Sequence, residues 1–481
     1  MLRRARTVYL RTRKHPTVRG LPKHLRLRSF DRLYQRAISF DAVYSEIARS
    51  IIAAAGKKNK RLTDDVIYAV PGHPLVGERS VPMIMAAAQA AGIPTRIVSG
   101  MSFIEPVLEV LQVPSAEFRV PTLDPIDGLQ LCDALDLARL HHPALDPDRP
   151  ALVAQLYSRQ IASDVKLTLL NQYPPDHRVL VVRAESAKRS SQHSDLRARG
   201  STLAELDHSA GFDHLSSLYI PPLTRAGGFE TLQETIAHLR APEGCPWDRE
   251  QTHQSLRTTL LEEAYEVLTA IDEDDMPALK EELGDLLLNV MLQAQIATEA
   301  DEFRMSDVVA EIDAKLKRRH PHVFGDVAVK NAAEVTTNWN EIKKREKAAK
   351  GLTAASVLDG IAPALPALAQ AQKMAHRADR AGFRWKDKRT RYDKVLEELA
   401  EVRNARDDKH RREELGDLIF SLAYWADGLG IDIETAAREG NQKFARRFRA
   451  LETAVRAQNK DMLRMSEAAL LAEWRKVKAA E

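Results

Sequence analysis

One block of this chain occurs twice, and the repeat limits the possible folds more than any other feature. Residues 260–290 read LLEEAYEVLTAIDEDDMPALKEELGDLLLNV, and residues 395–422 read VLEELAEVRNARDDKHRREELGDLIFSL. Glu398 lies 135 positions after Glu263, and Glu401 lies 135 after Glu266. Glu414 and Asp417 lie 132 after Glu282 and Asp285, so the second copy has a turn three residues shorter. The match continues downstream. KLKRRH (315–320) returns as KFARRF (443–448), and WNEIK (339–343) returns as WRKVK (474–478). Four blocks in one order define a duplicated unit, and such a unit is one supersecondary element used twice.

The spacing inside each copy predicts a helical hairpin. Glu263 and Glu266 are three apart, as are Glu282 and Asp285, and residues three apart share a helix face. Those faces also carry Leu260, Val267, Leu279 and Leu286, where a packed stripe would ordinarily exclude acids. Glu263 with Asp285 and Glu266 with Glu282 are both centred on position 274, inside the DEDD turn. With equal rise per residue, partners equidistant from the turn sit at one height. In the second copy both pairs are centred between 407 and 408, within RDDK. Two turn lengths therefore preserve one arrangement, in which four carboxylates converge between antiparallel helices.

Left alone, such a cluster repels itself. A hard divalent cation relieves the repulsion, because Mg²⁺ takes oxygen ligands and keeps several waters. Asp stands where a helical Glu-x-x-His di-iron motif would need His, so Mg²⁺ or Mn²⁺ is the expected ion. The alternative is a solvated acidic face paired with Lys and Arg; its recurrence in two hairpins argues against it. The basic blocks suggest what the ion serves. Lys315 with Arg319, and Lys443 with Arg447, are i, i+4 pairs suited to phosphate oxygens. Trp339 with Lys343, and Trp474 with Lys478, could stack a base beside a cation; packing is the ordinary role of each Trp taken singly. No G-x-x-x-x-G-K-[ST] loop occurs, so phosphate handling falls to metal and side chains.

The rest of the chain differs in kind. At 481 residues it exceeds one hydrophobic core. Residues 1–222 alternate short apolar runs (TVYLRT, DDVIYAV, PTRIVSG, PALVAQLY, HRVLVVRA, LSSLYIPPL) with helical stretches, the signature of an α/β domain. YIPPLTRAGG (219–228) punctuates the boundary, and from Phe229 strand signals vanish. The expected architecture is multidomain: an α/β region over 1–222, then an all-α tandem, 229–350 and 355–481. Two cysteines, Cys132 and Cys245, make no disulfide framework and suit a reducing cytoplasm. No apolar run is long enough for a membrane helix. Residues 1–36 hold twelve Lys or Arg and one acid, Asp31; TVYLRT within them reads as a strand, which favours a domain edge over a targeting segment. That basic stretch alone is thin support for nucleic-acid binding.

Residues 229–481 resemble the MazG family of nucleoside triphosphate pyrophosphohydrolases. The resemblance rests on GCPWDREQTH (244–253), EEAYE with EELGD, KRRHPHVFGD (317–326), ALPALAQAQK (364–373) and NQKFARRF (441–448). It implies Mg²⁺-dependent hydrolysis of NTPs or dNTPs to the monophosphate and pyrophosphate, suited to house-cleaning of the nucleotide pool, by a dimer of helical bundles. It implies metal binding by Glu263, Glu266, Glu282 and Asp285 and by Glu398, Glu401, Glu414 and Asp417. Lys443, Arg447, Trp474 and Lys478 match substrate-binding positions of the family's C-terminal copy, which places the main catalytic site in the second repeat. The first retains all eight equivalents, including Lys315, Arg319, Trp339 and Lys343. Glu262 and Glu397, one residue before the ligands, are candidates to orient the attacking water.

Residues 1–222 resemble the tetrapyrrole methylase fold as it occurs fused to MazG, the YabN-like arrangement. The carriers are IYAVPGHPLVGERSV (67–81), IVSGMSFIEPVL (97–108) and SDVKLTLL (163–170). Members of that fold open with a strand and a Gly-rich loop that helps bind S-adenosylmethionine. This chain starts beyond that point, so S-adenosylmethionine is a doubtful cofactor. The PGHP loop with Gly100 and Ser102 is the candidate lining of a small-molecule cleft. A bifunctional methyltransferase, or a metal-stabilised dimerisation module without catalysis, are the alternative readings.

Overall fold

The computed structural model describes residues 2–36, 40–56, 65–112, 128–184, 196–208, 211–349, 356–383 and 388–480. The chain divides into two compact units, Met1–Ala310 and Glu311–Glu481.

The first unit opens with a parallel three-stranded sheet. Strand β1 (Thr7–Leu10) lies between β2 (Arg26–Ser29) and β3 (Ile67–Ala69), with Val8 level with Leu27 and Ile67. Helices α1 (Asp31–Arg36) and α2 (Phe40–Gly56) follow β2, and α3 (Ser80–Ala90) and α4 (Ile104–Gln112) follow β3. Val43, Tyr44, Ile47 and Ile51 form the buried stripe of α2; with Ile84 of α3 they cover Tyr9, Phe30 and Tyr68. The spacing one, three and four is that of an amphipathic helix lying on a sheet. The expected strand in PTRIVSG is not formed, and Val98 is exposed. Among the described residues β3 is laddered on one side only, to β1, and an apolar run without a neighbour to satisfy its N–H and C=O groups gains nothing by extending.

A second, five-stranded sheet has the order β4-β5-β8-β6-β7. Its strands are β4 (Gln130–Asp133), β5 (Ala151–Ala154), β6 (Arg178–Ala184), β7 (Leu196–Thr202) and β8 (Ser216–Ile220). Only β4 and β5 are parallel. Helices α5 (Ala134–Leu137) and α6 (Arg159–Leu169) pack on it; Ile161, Val165 and Leu169 of α6 meet Val153, Val179 and Leu218. Every residue of β5 and β8 is buried, which explains their continuous apolar or small-residue runs. After β8 the chain is pinned rather than loose. The backbone N–H groups of Gly227 and Gly228 and the hydroxyl of Thr231 donate to Asp148 at 2.7, 2.9 and 2.5 Å. Asp148 so satisfies donors at the start of the next helix.

From there the described chain is helical. The first unit continues through α7 (Phe229–Arg240), α8 (Pro246–Glu250), α9 (Arg257–Asp272) and α10 (Met276–Glu299) into α11 (Met305–Arg319). The second unit contains the end of α11, then α12 (Pro321–Phe324), α13 (Ala332–Ala349), α14 (Ala367–Arg380), α15 (Lys388–Asn404), α16 (Asp408–Leu429), α17 (Ile433–Ala457) and α18 (Glu467–Ala479). The α/β region followed by an all-α tandem is therefore realised. The hairpins α9–α10 and α15–α16 fall where the repeat predicts them. Asp274 takes φ 55° in the first turn, a left-handed conformation that Asp tolerates. Asp275 and Asp407 accept hydrogen bonds from Ala278 N and His410 N at 3.0 and 2.8 Å, capping α10 and α16 alike. Gly430, φ 73°, ends α16 with a left-handed cap.

Candidate active site

Each hairpin brings carboxylates together between its helices. Oxygens of Glu263, Glu266 and Glu282 lie within 4.8 Å of one another, and so do those of Glu398, Glu401 and Glu414. Asp285 and Asp417, the fourth members, lie outside these triplets but on the same helix stripes. The pairing by height is visible electrostatically. Burial and then the charge of Asp285 raise the pKa of Glu263, while burial and then the charge of Glu266 raise that of Glu282. These are the partners assigned by symmetry about position 274. Like charges at one level push protons onto one another, and an all-oxygen donor set of this kind suits a hard divalent cation. The residues present fit Mg²⁺ or Mn²⁺.

The two clusters differ in their neighbours. Among the described residues, Glu263, Glu266, Glu282 and Asp285 take part in no ion pair with a basic side chain. In the second cluster Lys394 Nζ reaches Glu398 at 2.8 Å and Glu397 at 3.0 Å, and His410 Nε2 reaches Glu414 at 2.8 Å. Glu398 is 5% exposed, the most enclosed of these carboxylates. Lys394 donates hydrogen bonds to Glu398 and then Glu397, and these raise its pKa. Glu397 is engaged by Lys394 and exposed, and Glu262 is exposed on α9. Neither is aimed into its cluster by a hydrogen bond.

The basic and aromatic positions also differ. In the first repeat Arg319 donates to Glu346 at 2.7 Å, Arg318 does the same at 2.7 Å, and Arg319 lies 5.2 Å from the centre of the Trp339 ring. His320 meets the edge of that ring at 5.0 Å. Hydrogen bonds from Arg319 and Arg318 hold Glu346 down to about 2. Lys315 is half-buried and Lys343 exposed. In the second repeat α17 packs against α18, with Trp474 5.6 Å from Phe444 and Phe444 stacked 5.9 Å from Phe448. Lys443 and Lys478 are exposed, and Arg447 and Trp474 half-buried. The structure thus gathers Arg319 with Trp339, and Trp474 with the aromatic face of α17. Lys443 lies ten residues beyond Ile433, about 15 Å along α17.

Around both clusters the helices keep apolar side chains in the open. Leu261, Leu283, Leu396, Leu399 and Leu415 are 51%, 50%, 45%, 53% and 48% exposed. In the α/β region the PGHP loop lies against Gly100 and Ser102: a Cβ on Gly100 would come within 2.9 Å of the Gly72 carbonyl oxygen. No described helix is long and apolar enough to cross a membrane.

With this geometry in place, comparison with known proteins is specific. The family model for the MazG nucleotide pyrophosphohydrolase domain matches twice, at residues 251–324 and 392–451. That for tetrapyrrole (corrin/porphyrin) methylases matches residues 1–193. The chain is 36% identical to the uncharacterized protein YabN of Bacillus subtilis over 490 aligned residues, covering 100% of this chain and 94% of that protein. Its helical half is 43% identical to the nucleoside triphosphate pyrophosphohydrolase/pyrophosphatase MazG of Thermotoga maritima, over 47% of this chain and 86% of the relative. It is 42% identical to the nucleoside triphosphate pyrophosphohydrolase of Escherichia coli K12, over 52% of this chain and 97% of the relative. The chain belongs to the MazG family of hydrolases, in the form that carries two MazG repeats behind a tetrapyrrole methylase domain.

Sequence reasoning overlooked Lys394, His410 and Asn289. The repeat offsets expose all three: Lys394 and His410 stand opposite Thr259 and Ala278, and Asn289 opposite Ser421. Asn289 is 3% exposed, and its side-chain oxygen is buried without a hydrogen-bond partner.

Proposed function

We propose that this protein hydrolyses nucleoside triphosphates or deoxynucleoside triphosphates between the α and β phosphates, releasing the monophosphate and pyrophosphate, with Mg²⁺ or Mn²⁺ held by the carboxylate hairpins. The observation that carries this reading is the pair of level carboxylate clusters in a helical half that is 43% identical, over 47% of the chain, to a protein named for that activity. Glu398, Glu401, Glu414 and Asp417 hold the ion in the second repeat, and Glu263, Glu266, Glu282 and Asp285 in the first. When bound, the ion polarises a phosphoryl oxygen and acidifies a water.

The chain's own side chains supply the rest. Lys443 and Arg447 meet phosphate oxygens, and Trp474 with Lys478 offers a stacking plane beside a cation. Glu397 and Glu262 sit one residue before the ligands and are the candidates to orient water. The second repeat is the main site. In the first, Arg319 is already neutralised by Glu346, and Trp339 is covered by Arg319 and His320; in the second, Trp474 carries an aromatic neighbour in place of a charged one. The exposed leucines beside both clusters support a homodimer through the helical half. Clearance of unwanted nucleotides in the cytoplasm is the role such an activity serves.

The test is the position of cleavage. NTPs and dNTPs incubated with Mg²⁺ and followed by ³¹P NMR should yield monophosphate and pyrophosphate. Diphosphate with inorganic phosphate, or no turnover of any nucleotide, would refute the assignment.

A further inference from the structure

The first 36 residues carry twelve Lys or Arg against the single acid Asp31, and the fold turns part of that charge into a groove. Tyr9 of β1 and Arg28 of β2 are level in the parallel ladder, so their side chains share one face of the sheet. Helix α2 covers that face only in part. Val43, Tyr44 and Ile47 pack onto the sheet. Towards the end of the helix Ser50, Ala53 and Ala54 are too small to fill the space beside Tyr9 and Phe30. The result is a groove of about 680 Å³ whose wall also holds Arg13, Arg28 and Arg32. Strand β2 is an edge strand and the three arginines are exposed, so the groove is open to solvent.

Its charge is available. Among the described residues none of the three guanidinium groups is in an ion pair. Arg13 donates to the backbone carbonyl of Leu27, and Arg28 donates to the Tyr9 hydroxyl at 3.4 Å and lies 5.8 Å from the centre of that ring. Asp31 accepts from the Thr12 hydroxyl and the Arg13 backbone N–H at 2.6 and 3.0 Å, and Arg49 of α2 is paired with Glu46. Arg26 stands two residues before Arg28, on the same face and about 6.6 Å away along the strand. It is exposed as well, so the row of cations runs on beyond the groove. Tyr9 and Phe30 stack at 6.2 Å with their planes 20° apart, and both are half-buried.

Cations that take phosphates beside rings that take bases are the combination that holds a single strand of nucleic acid. In a duplex the base faces are covered by their neighbours, which leaves Tyr9 and Phe30 nothing to stack on. A lipid surface fits less well: among the described residues up to Gly56 no large apolar side chain is exposed, and a membrane anchor needs one to enter the bilayer. We infer that the groove between α2 and the β1–β2 edge binds single-stranded nucleic acid. Arg13, Arg28 and Arg32 hold phosphates, and a base lies against Tyr9 and Phe30. The site uses no residue of the carboxylate hairpins and needs no metal.

The test is fluorescence anisotropy of short end-labelled oligouridylate and oligothymidylate with the full chain, in EDTA, over a series of salt concentrations. Three phosphate contacts should give a slope of log K against log salt of about −2, at about 0.7 per contact. Arg28→Ala and Arg32→Ala should each flatten that slope by about 0.7, while Arg159→Ala, an exposed arginine of α6, should leave it unchanged. Tyr9→Leu should weaken binding about tenfold with the slope preserved. Circular dichroism confirms that it is folded, and Phe30→Leu replaces it if it is not. A strand of the same length without bases, and a duplex, should bind about tenfold more weakly than the single strand. Whichever of the two labelled strands binds tighter names RNA or DNA as the ligand. No binding of either at low salt, a slope unmoved by Arg28→Ala and Arg32→Ala, or a base-free strand or duplex bound as tightly as the single strand would overturn the proposal.

Discussion

The two repeats share a backbone plan and differ in what surrounds it. Both build an antiparallel hairpin capped by Asp, Asp275 in one and Asp407 in the other, and both gather three glutamates within 4.8 Å. Among the described residues, the first pairs its carboxylates with no basic side chain and locks its phosphate-type arginine to Glu346. The second neutralises carboxylates with Lys394 and keeps Trp474 against an aromatic helix face. Duplication thus preserved the geometry that two helices and a turn enforce, while the side chains one turn away diverged. Cluster geometry alone does not assign a role; the neighbours do.

That contrast can be broken or sharpened. The largest expected effect is on phosphate contacts. Arg447→Ala should lower kcat/KM about a hundredfold, the usual range for losing a charged group that meets developing charge, while Arg319→Ala should change it less than threefold. Steady-state pyrophosphate release from both variants checks this, and equal losses would erase the distinction. Next, Trp474→Ala should raise KM about tenfold, in line with the loss of one base–aromatic stack, with kcat little changed. Trp339→Ala should leave KM alone and lower the melting temperature, because that ring packs between Arg319 and His320.

A smaller effect concerns stability. Glu346→Gln should cost about 1 kcal/mol in thermal unfolding, as expected for a half-buried bidentate arrangement. The sign with pH follows from its depressed pKa. The contribution is fully present above the ordinary carboxylate range and is lost as pH falls towards about 2, so wild type and Glu346→Gln should converge in acid. The smallest effect is at the α/β end. Asp148→Ala removes the acceptor of Gly227, Gly228 and Thr231 and should speed proteolysis between 221 and 228 without altering pyrophosphate release.

Much of this was legible in the sequence, and the limits have physical causes. The hairpins and the level pairing of carboxylates follow from rise per residue and a symmetry point, so they could be read from numbering alone. Strands β1, β3, β5, β6 and β8 announce themselves by apolar runs. Strands β2, β4 and β7 do not, and all three are edge strands. RLRS and LRARGST carry the charges that edges use against unwanted pairing, which erases the signal. PTRIVSG errs the other way, with strand composition but no neighbour to ladder with. In the site, the carboxylates were legible because they repeat; Lys394 and His410 were not, because they are where the repeat fails. The Asp148 tether joins residues about eighty positions apart, and no local pattern encodes it.

The most direct test of the central claim is pyrophosphate release from a panel of NTPs and dNTPs, with and without Mg²⁺, for wild type, Glu263→Gln/Glu266→Gln and Glu398→Gln/Glu401→Gln. The account predicts Mg²⁺-dependent release that survives the first double substitution and falls by about a thousandfold or more with the second. Activity that survives loss of Glu398 and Glu401, or that vanishes only with loss of Glu263 and Glu266, would contradict it.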